Sequence, residues 1–208
     1  MIDQLILVRH GETVHNVAGI AQGWNDSALS PAGQEQVRRL AERLRAVEVD
    51  VIYSSTLQRA LATAQAISAA TGAPIHTLDE LREMNYGGWE GRSFLDVRTQ
   101  DADAYHRWIA DPDAPCPGGE SHNDVRRRMA RAFEIIRTAE GTNNGKKSGR
   151  RIVVVTHGTA IRVAATALME LPVMASRHFA QDNASMNVFL WRGDRFVLKI
   201  WNDTTHCG

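Results

Sequence analysis

The run Gln4–Val8 (QLILV) stops at Arg9-His10-Gly11, and far along the chain Arg151–Thr156 (RIVVVT) stops at His157-Gly158. A short, uninterrupted aliphatic run of this kind is the pattern of a strand covered on both faces. Two of them, each ending in a histidine, ask for a parallel sheet with helices on either side. The stretches between supply those helices. Ser30 stands as an N-cap and Pro31 as the first helical residue. Val37, Leu40, Ala41, Leu44 and Val47 then recur at helical spacing. Residues 50–55 (DVIYSS) read as a second strand, and 56–71 as a second helix with Gly72 at a left-handed cap. Residues 73–83 read as a short third strand with its exit loop.

Residues 84–120 are rich in Gly, Pro and aromatics. They read as an irregular insertion with one helix near 93–110. Residues 121–140 form an amphipathic helix through Val125, Met129, Ala132, Phe133 and Ile136, and 141–149 a loop. A helix follows His157, and 186–203 read as a hairpin turning at Gly193-Asp194. The expected architecture is one α/β domain over residues 1–208. It is a three-layer sandwich with a mostly parallel central sheet flanked by helices, the insertion lying over the strand carboxyl ends, where ligands bind in such folds.

Charge excludes one class of partner. The 24 Lys and Arg balance the 24 Asp and Glu, so bulk charge gives no support for nucleic-acid binding. The cluster Arg126-Arg127-Arg128 reads as a solvated helix face. Cys116 and Cys207 have no metal-like spacing. Two thiols in a reducing cytosol are the simpler reading, with a single disulfide left open. The N-terminus has no basic leader, and no apolar run reaches membrane-spanning length. The expectation is a cytoplasmic protein without a membrane partner, whose C-terminal hairpin offers an edge for a homodimer.

The strand ends hold the chemistry. Adjacent strands would set His10 beside His157, with Arg9 next to the first ring and Arg59 at the start of the second helix. Asn16 follows within a few residues. Two arginines, two histidines and an amide repel one another unless an anion sits among them, and a guanidinium matches phosphate oxygens bidentately. Gly158 opens a helix whose free N–H groups favour the same anion. A metal is the competing use of two histidines, but neighbouring arginines oppose a cation, so no metal and no cofactor are expected. No Gly-rich nucleotide loop is present. A neutral histidine at the floor of such a pocket can attack phosphorus, and nearby cations lower its pKa. Glu83, after the third strand, is either the acid for the leaving group or a surface carboxylate.

In order, LVRHGET with Asn16, QGWNDSALSPAG, YSSTLQRALATAQ, LREMNYGGWEG, PGGES and VVTHG resemble the histidine phosphatase superfamily, the phosphoglycerate mutase-like group, from about residue 4 to the WND near the C-terminus. The resemblance implies a phosphohistidine at His10 and phosphate contacts from Arg9, Asn16, Arg59 and His157. It also implies secondary contacts from Gln22 and Gly23 and a proton donor at Glu83. Family mutases tend to carry larger insertions and a C-terminal tail over the site, whereas this chain stops soon after WND. The resemblance therefore implies the broad phosphatase branch, hydrolysing a small phosphorylated metabolite, with phosphoglycerate mutase as the alternative. Substrate choice is expected in residues 84–122 and near Trp24. There Tyr86, Trp89 and Trp108 would form an apolar lid, and Glu120, Ser121 and His122 would face the pocket.

Overall fold

Arg9 and Thr156 lie opposite each other at the ends of two parallel strands, and much of the molecule is built around that register. The computed structural model describes residues 2–141 and 149–208. The strands are β1 (Ile2–Arg9), β2 (Val51–Ser55), β3 (Ile75–Leu78), β4 (Arg150–Thr156), β5 (Met186–Trp191) and β6 (Phe196–Asp203). They form one sheet in the order β3-β2-β4-β1-β5-β6. The first four are mutually parallel, while β5 and β6, the expected hairpin, run antiparallel. The helices are α1 (Val14–Val17), α2 (Pro31–Arg45), α3 (Gln58–Thr71), α4 (Phe94–Gln100), α5 (Ala102–Ala110), α6 (His122–Gly141) and α7 (Gly158–Leu168).

The unbroken aliphatic runs are explained by two cores. Leu5, Leu7, Tyr53, Ile152 and Val154 pack on one face with residues of α6, α7 and the insertion. Ile6, Val8, Ile52, Val153 and Val155 pack on the other with Leu40 and Leu44 of α2 and Ala60, Ala64 and Ile67 of α3. Side chains alternate between faces along a strand, so a strand buried twice shows no polar alternation. This is the expected three-layer sandwich.

Local signals act where the sequence puts them. Ser30 Oγ accepts from Gly33 N at 2.9 Å and donates to Glu12 Oε1 at 2.6 Å, tying the start of α2 to the segment leaving β1. Gly72 ends α3 at φ 75°, a conformation open to glycine without steric cost. The insertion differs from expectation by holding two helices instead of one. Asp101 breaks the run at φ −119°, ψ 37°. Its carboxylate accepts from Trp89 Nε1 (3.0 Å) and Arg92 Nη1 (2.5 Å), which pins the junction to the core. The loop expected over 141–149 lies, apart from its ends, outside the described residues. Both cysteines are free thiols. Among the described residues no helix is long and apolar enough to cross a membrane.

Candidate active site

The register that pairs Arg9 with Thr156 puts the next residues, His10 and His157, side by side. His10 N continues the ladder by donating to Thr156 O at 3.0 Å, and the two ring centroids are 5.1 Å apart, tilted by 58°. Both rings are buried. His10 Nδ1 lies 2.7 Å from the carbonyl of Gly11. A carbonyl can only accept, so Nδ1 carries the proton and Nε2 keeps its lone pair. Burial, then Arg59, then Arg9 push the His10 pKa well below the ordinary imidazole value. Burial, Arg59, His10 and Arg9 do the same to His157. His157 Nε2 is 2.8 Å from Ser55 Oγ at the end of β2.

A cavity of about 300 Å³ opens over these rings, and Arg9, His10, Asn16, Gln22, Gly23, Arg59, Glu83 and Gly158 line it. His157 is fully buried and is not among the lining residues. Arg59 is held by Gly23 O (2.7 Å), Asn25 O (2.9 Å) and Asp26 Oδ1 (2.8 Å). Arg9 donates to the carbonyl of Gln181. A Cβ at Gly158 would stand 3.4 Å from the Arg9 guanidinium carbon, an ordinary contact distance that places the cation against the start of α7. The amide oxygen of Asn16 accepts from Thr13 N, Thr13 Oγ1 and Asn183 Nδ2, which leaves its NH₂ for the cavity. Arg9 Nε, Arg59 Nε and His157 Nδ1 are buried without a protein partner. Buried donors are ordinarily satisfied, and an anion between the arginines would satisfy them.

Several expectations need correction. The N–H groups at the start of α7 are not all free for an anion. Thr159 N and Ala160 N donate to the Glu83 carboxylate at 3.1 and 3.0 Å, and Met84 N adds a third bond at 2.8 Å. Gly11, next to His10, is outside the lining. A Cβ there would meet Val37 Cγ2 at 2.5 Å and Gly33 O at 2.8 Å, so its smallness serves the crossing over the first turn of α2. The aromatic lid divides: Trp89 is fully buried core, while Tyr86 and Trp108 line the cavity with Phe94 and Tyr105. Glu120, Ser121 and His122 do not line it. Glu120 pairs with Arg128, Ser121 Oγ accepts from Asp124 N, and His122 packs on Trp108 at 4.8 Å. Trp24 also stays outside and donates Nε1–H to Glu83 O at 2.9 Å.

Sequence reasoning missed Ile20, Thr159, Arg162 and Gln181 in the lining. Of these only Arg162 left a signal, as the lone charge in the apolar segment that follows His157. Its guanidinium donates to Thr159 Oγ1 at 2.9 Å, and that hydroxyl also meets Tyr86 Oη at 2.8 Å.

The histidines give the fold a pH dependence. His10 and His157 are held neutral, and burial lowers His122 to about 4. As pH falls below the unfolded-state value of about 6.5, the unfolded chain binds protons that the folded chain refuses. Stability is therefore lost with acidification, by at most about 1.4 kcal/mol per pH unit for each ring. Thermal melts are expected to show Tm falling as pH drops below that value, and His122→Phe to reduce the slope. A wild-type Tm that stays flat across this window would contradict the assignment.

A profile of the histidine phosphatase superfamily, branch 1, matches residues 5–204. Phosphoglycerate mutase-like protein 4 of Arabidopsis thaliana is 36% identical over 98% of this chain and 86% of its own. Phosphoserine phosphatase 1 of Hydrogenobacter thermophilus is 32% identical over 99% and 94%. Among solved structures, a mycobacterial glucosyl-3-phosphoglycerate phosphatase superposes with a TM-score of 0.87 at 32% identity, covering 96% of this chain and 99% of that one.

Proposed function

The chain belongs to the histidine phosphatase superfamily, branch 1, and on that premise we propose that it hydrolyses a small phosphomonoester through a phosphohistidine on His10, without a metal. The observation that carries this reading is the cavity that brings His10, with its Nε2 lone pair, together with Arg9, Arg59 and Glu83. Nε2 attacks phosphorus as the P–O ester bond breaks. Glu83 gives its proton to the departing alkoxide. Water then gives a proton back to Glu83 and its oxygen forms the new P–O bond as the P–N bond breaks, which restores neutral His10 and releases inorganic phosphate. Arg9, Arg59 and Asn16 hold the equatorial oxygens, backed by the buried His157 beside the His10 ring, with Gln22, Gly23 and Gly158 shaping the rim. Each carboxyl oxygen has two lone-pair sites. Glu83 Oε2 accepts only Thr159 N, whereas Oε1 accepts two bonds, so Oε2 is the oxygen that carries the proton.

Hydrolysis fits the cavity better than mutase chemistry. Among the described residues its lining holds, beyond Arg9 and Arg59, one further arginine or lysine, Arg162, a thin counter-charge for a bisphosphorylated intermediate. Release of phosphate from p-nitrophenyl phosphate in EDTA tests the reading. Conversion of 3- to 2-phosphoglycerate faster than hydrolysis would replace it with the mutase. Glu83→Gln is expected to slow cleavage of an alkyl phosphate by about 10²-fold or more. Measured as kcat/KM, which reports only the steps up to phosphoryl transfer to His10 and not the later attack of water, it should leave p-nitrophenyl phosphate, whose leaving group departs unprotonated, much less affected. Equal losses on both substrates would remove Glu83 as the acid.

A further inference from the structure

We propose that Arg128 is the positioning residue for the acid: from behind the site it gathers the backbone of the segment that carries Glu83. The inference rests on the assignment of Glu83 as proton donor. Arg128 belongs to the arginine cluster of α6, yet its side chain is only 9% exposed. All five of its N–H donors are used. Nε and one Nη2 hydrogen reach Glu120 Oε1 and Oε2 at 2.9 and 2.8 Å. Nη1 reaches the carbonyls of Glu80 (2.7 Å) and Arg82 (2.8 Å), and Nη2 that of Glu83 (3.2 Å).

These carbonyls need such a partner. A short 3-10 turn over Asp79–Leu81 ends at Arg82, which is extended at φ −61°, ψ 162°. The last carbonyls of a helical turn have no acceptor role within it, and the planar guanidinium spreads five donors over a fixed fork where an ammonium offers three from one point. Glu120 completes the staple. Its carboxylate binds Arg128 and accepts Asn85 N at 2.8 Å, and its own N–H returns to Asn85 O at 2.8 Å. Residues 80 to 85 are thus fixed from one side, while the Glu83 carboxylate is fixed from the other by α7. Trp24 adds a second donor to the Glu83 carbonyl. Arg128 lines no part of the cavity; its bonds reach the site through the Glu83 segment, and its charge adds a smaller push on the neutral His157.

A merely structural residue would lower every rate alike, whereas one that aims the acid matters only when the leaving group needs its proton. Arg128→Met and Arg128→Lys are therefore compared with wild type and Glu83→Gln on an alkyl phosphate and on p-nitrophenyl phosphate, with orthovanadate inhibition reporting the phosphate pocket. The expected result is a fall in kcat/KM, which isolates the step that needs the leaving-group proton, of about 10²-fold on the alkyl ester, the scale of a small misplacement. Hydrolysis of p-nitrophenyl phosphate and inhibition by vanadate should be nearly unchanged. Trp24→Phe, at a residue 40% exposed, keeps the test available if both Arg128 variants fail to fold, and should show the same preference at smaller size. Equal loss on both esters in variants that fold, while Glu83→Gln discriminates, overturns the inference and leaves the acid assignment standing. Failure of Glu83→Gln to discriminate removes the acid assignment and this inference with it.

Discussion

Replacing His10 by alanine is expected to lower turnover by roughly 10⁴- to 10⁶-fold, the loss seen when a covalent nucleophile is removed. The expectation follows from the geometry of one bond. His10 Nδ1 is committed to Gly11 O, so the reactive lone pair of the neutral ring has one place to be. Arg9, Arg59 and Asn16 reach the cavity from other parts of the backbone, and none is held by the His10 ring. His10→Ala should therefore still bind orthovanadate. It should give no acid-labile phosphoprotein when a reaction with labelled p-nitrophenyl phosphate is quenched, whereas wild type should. Undiminished hydrolysis by the alanine variant would end the phosphohistidine reading.

Arg59→Met is expected to damage both activity and stability. Its side chain is 1% exposed and pairs with Asp26, itself 29% exposed. Because Asp26 keeps access to water, loss of the pair costs about 1–3 kcal/mol, the scale of a charged hydrogen bond, and not that of a fully buried ion pair. Here the carbonyls of Gly23 and Asn25 lose a donor as well. Asp26 also serves the helix that carries Arg59. The N-terminus of α3 at Leu57 has no side-chain cap of its own, and Asp26 Oδ2 accepts Gln58 N at 2.7 Å in that role. Leaving Asp26 uncompensated therefore loosens the start of α3 too. Against a total stability of about 5–15 kcal/mol this loss is large. The urea midpoint should fall clearly, and kcat/KM measured where the variant is still folded should drop by about 10²- to 10³-fold, as for loss of a group that stabilises transition-state charge. A midpoint equal to wild type would show that the pair contributes nothing.

Much of the fold was legible because its signals are local. Ser30 and Pro31 start α2, Gly72 ends α3, and the two aliphatic runs ending in histidine became neighbouring parallel strands. What stayed hidden depends on direction. Successive residues on a helix point about 100° apart, so three consecutive arginines cannot share one environment. Arg127 is an exposed partner of Asp124, Arg126 reaches Leu171 O, and Arg128 turns inward. Composition reads all three as one solvated face. Likewise Trp89 and Trp108 look equivalent in the sequence, and only packing makes one core and the other cavity wall. Gln181 and Asn183 reach Arg9, His10 and Asn16 from the stretch before β5, a proximity that no spacing rule announces. The Glu83 bonds to α7 belong to the same class, since they join a loop to a helix some 75 positions later.

The pairing of β1 with β4 joins segments roughly 150 residues apart in sequence, and closing so long a loop is slow because its entropy must be lost before the strands reward it. Both histidines hang on that one closure. A partly folded chain, even one with α2 and α3 docked on β2, would hold Arg59 without the partner rings. Catalytic competence is thus a late property of the folding chain, gained in the step that zips the middle of the sheet.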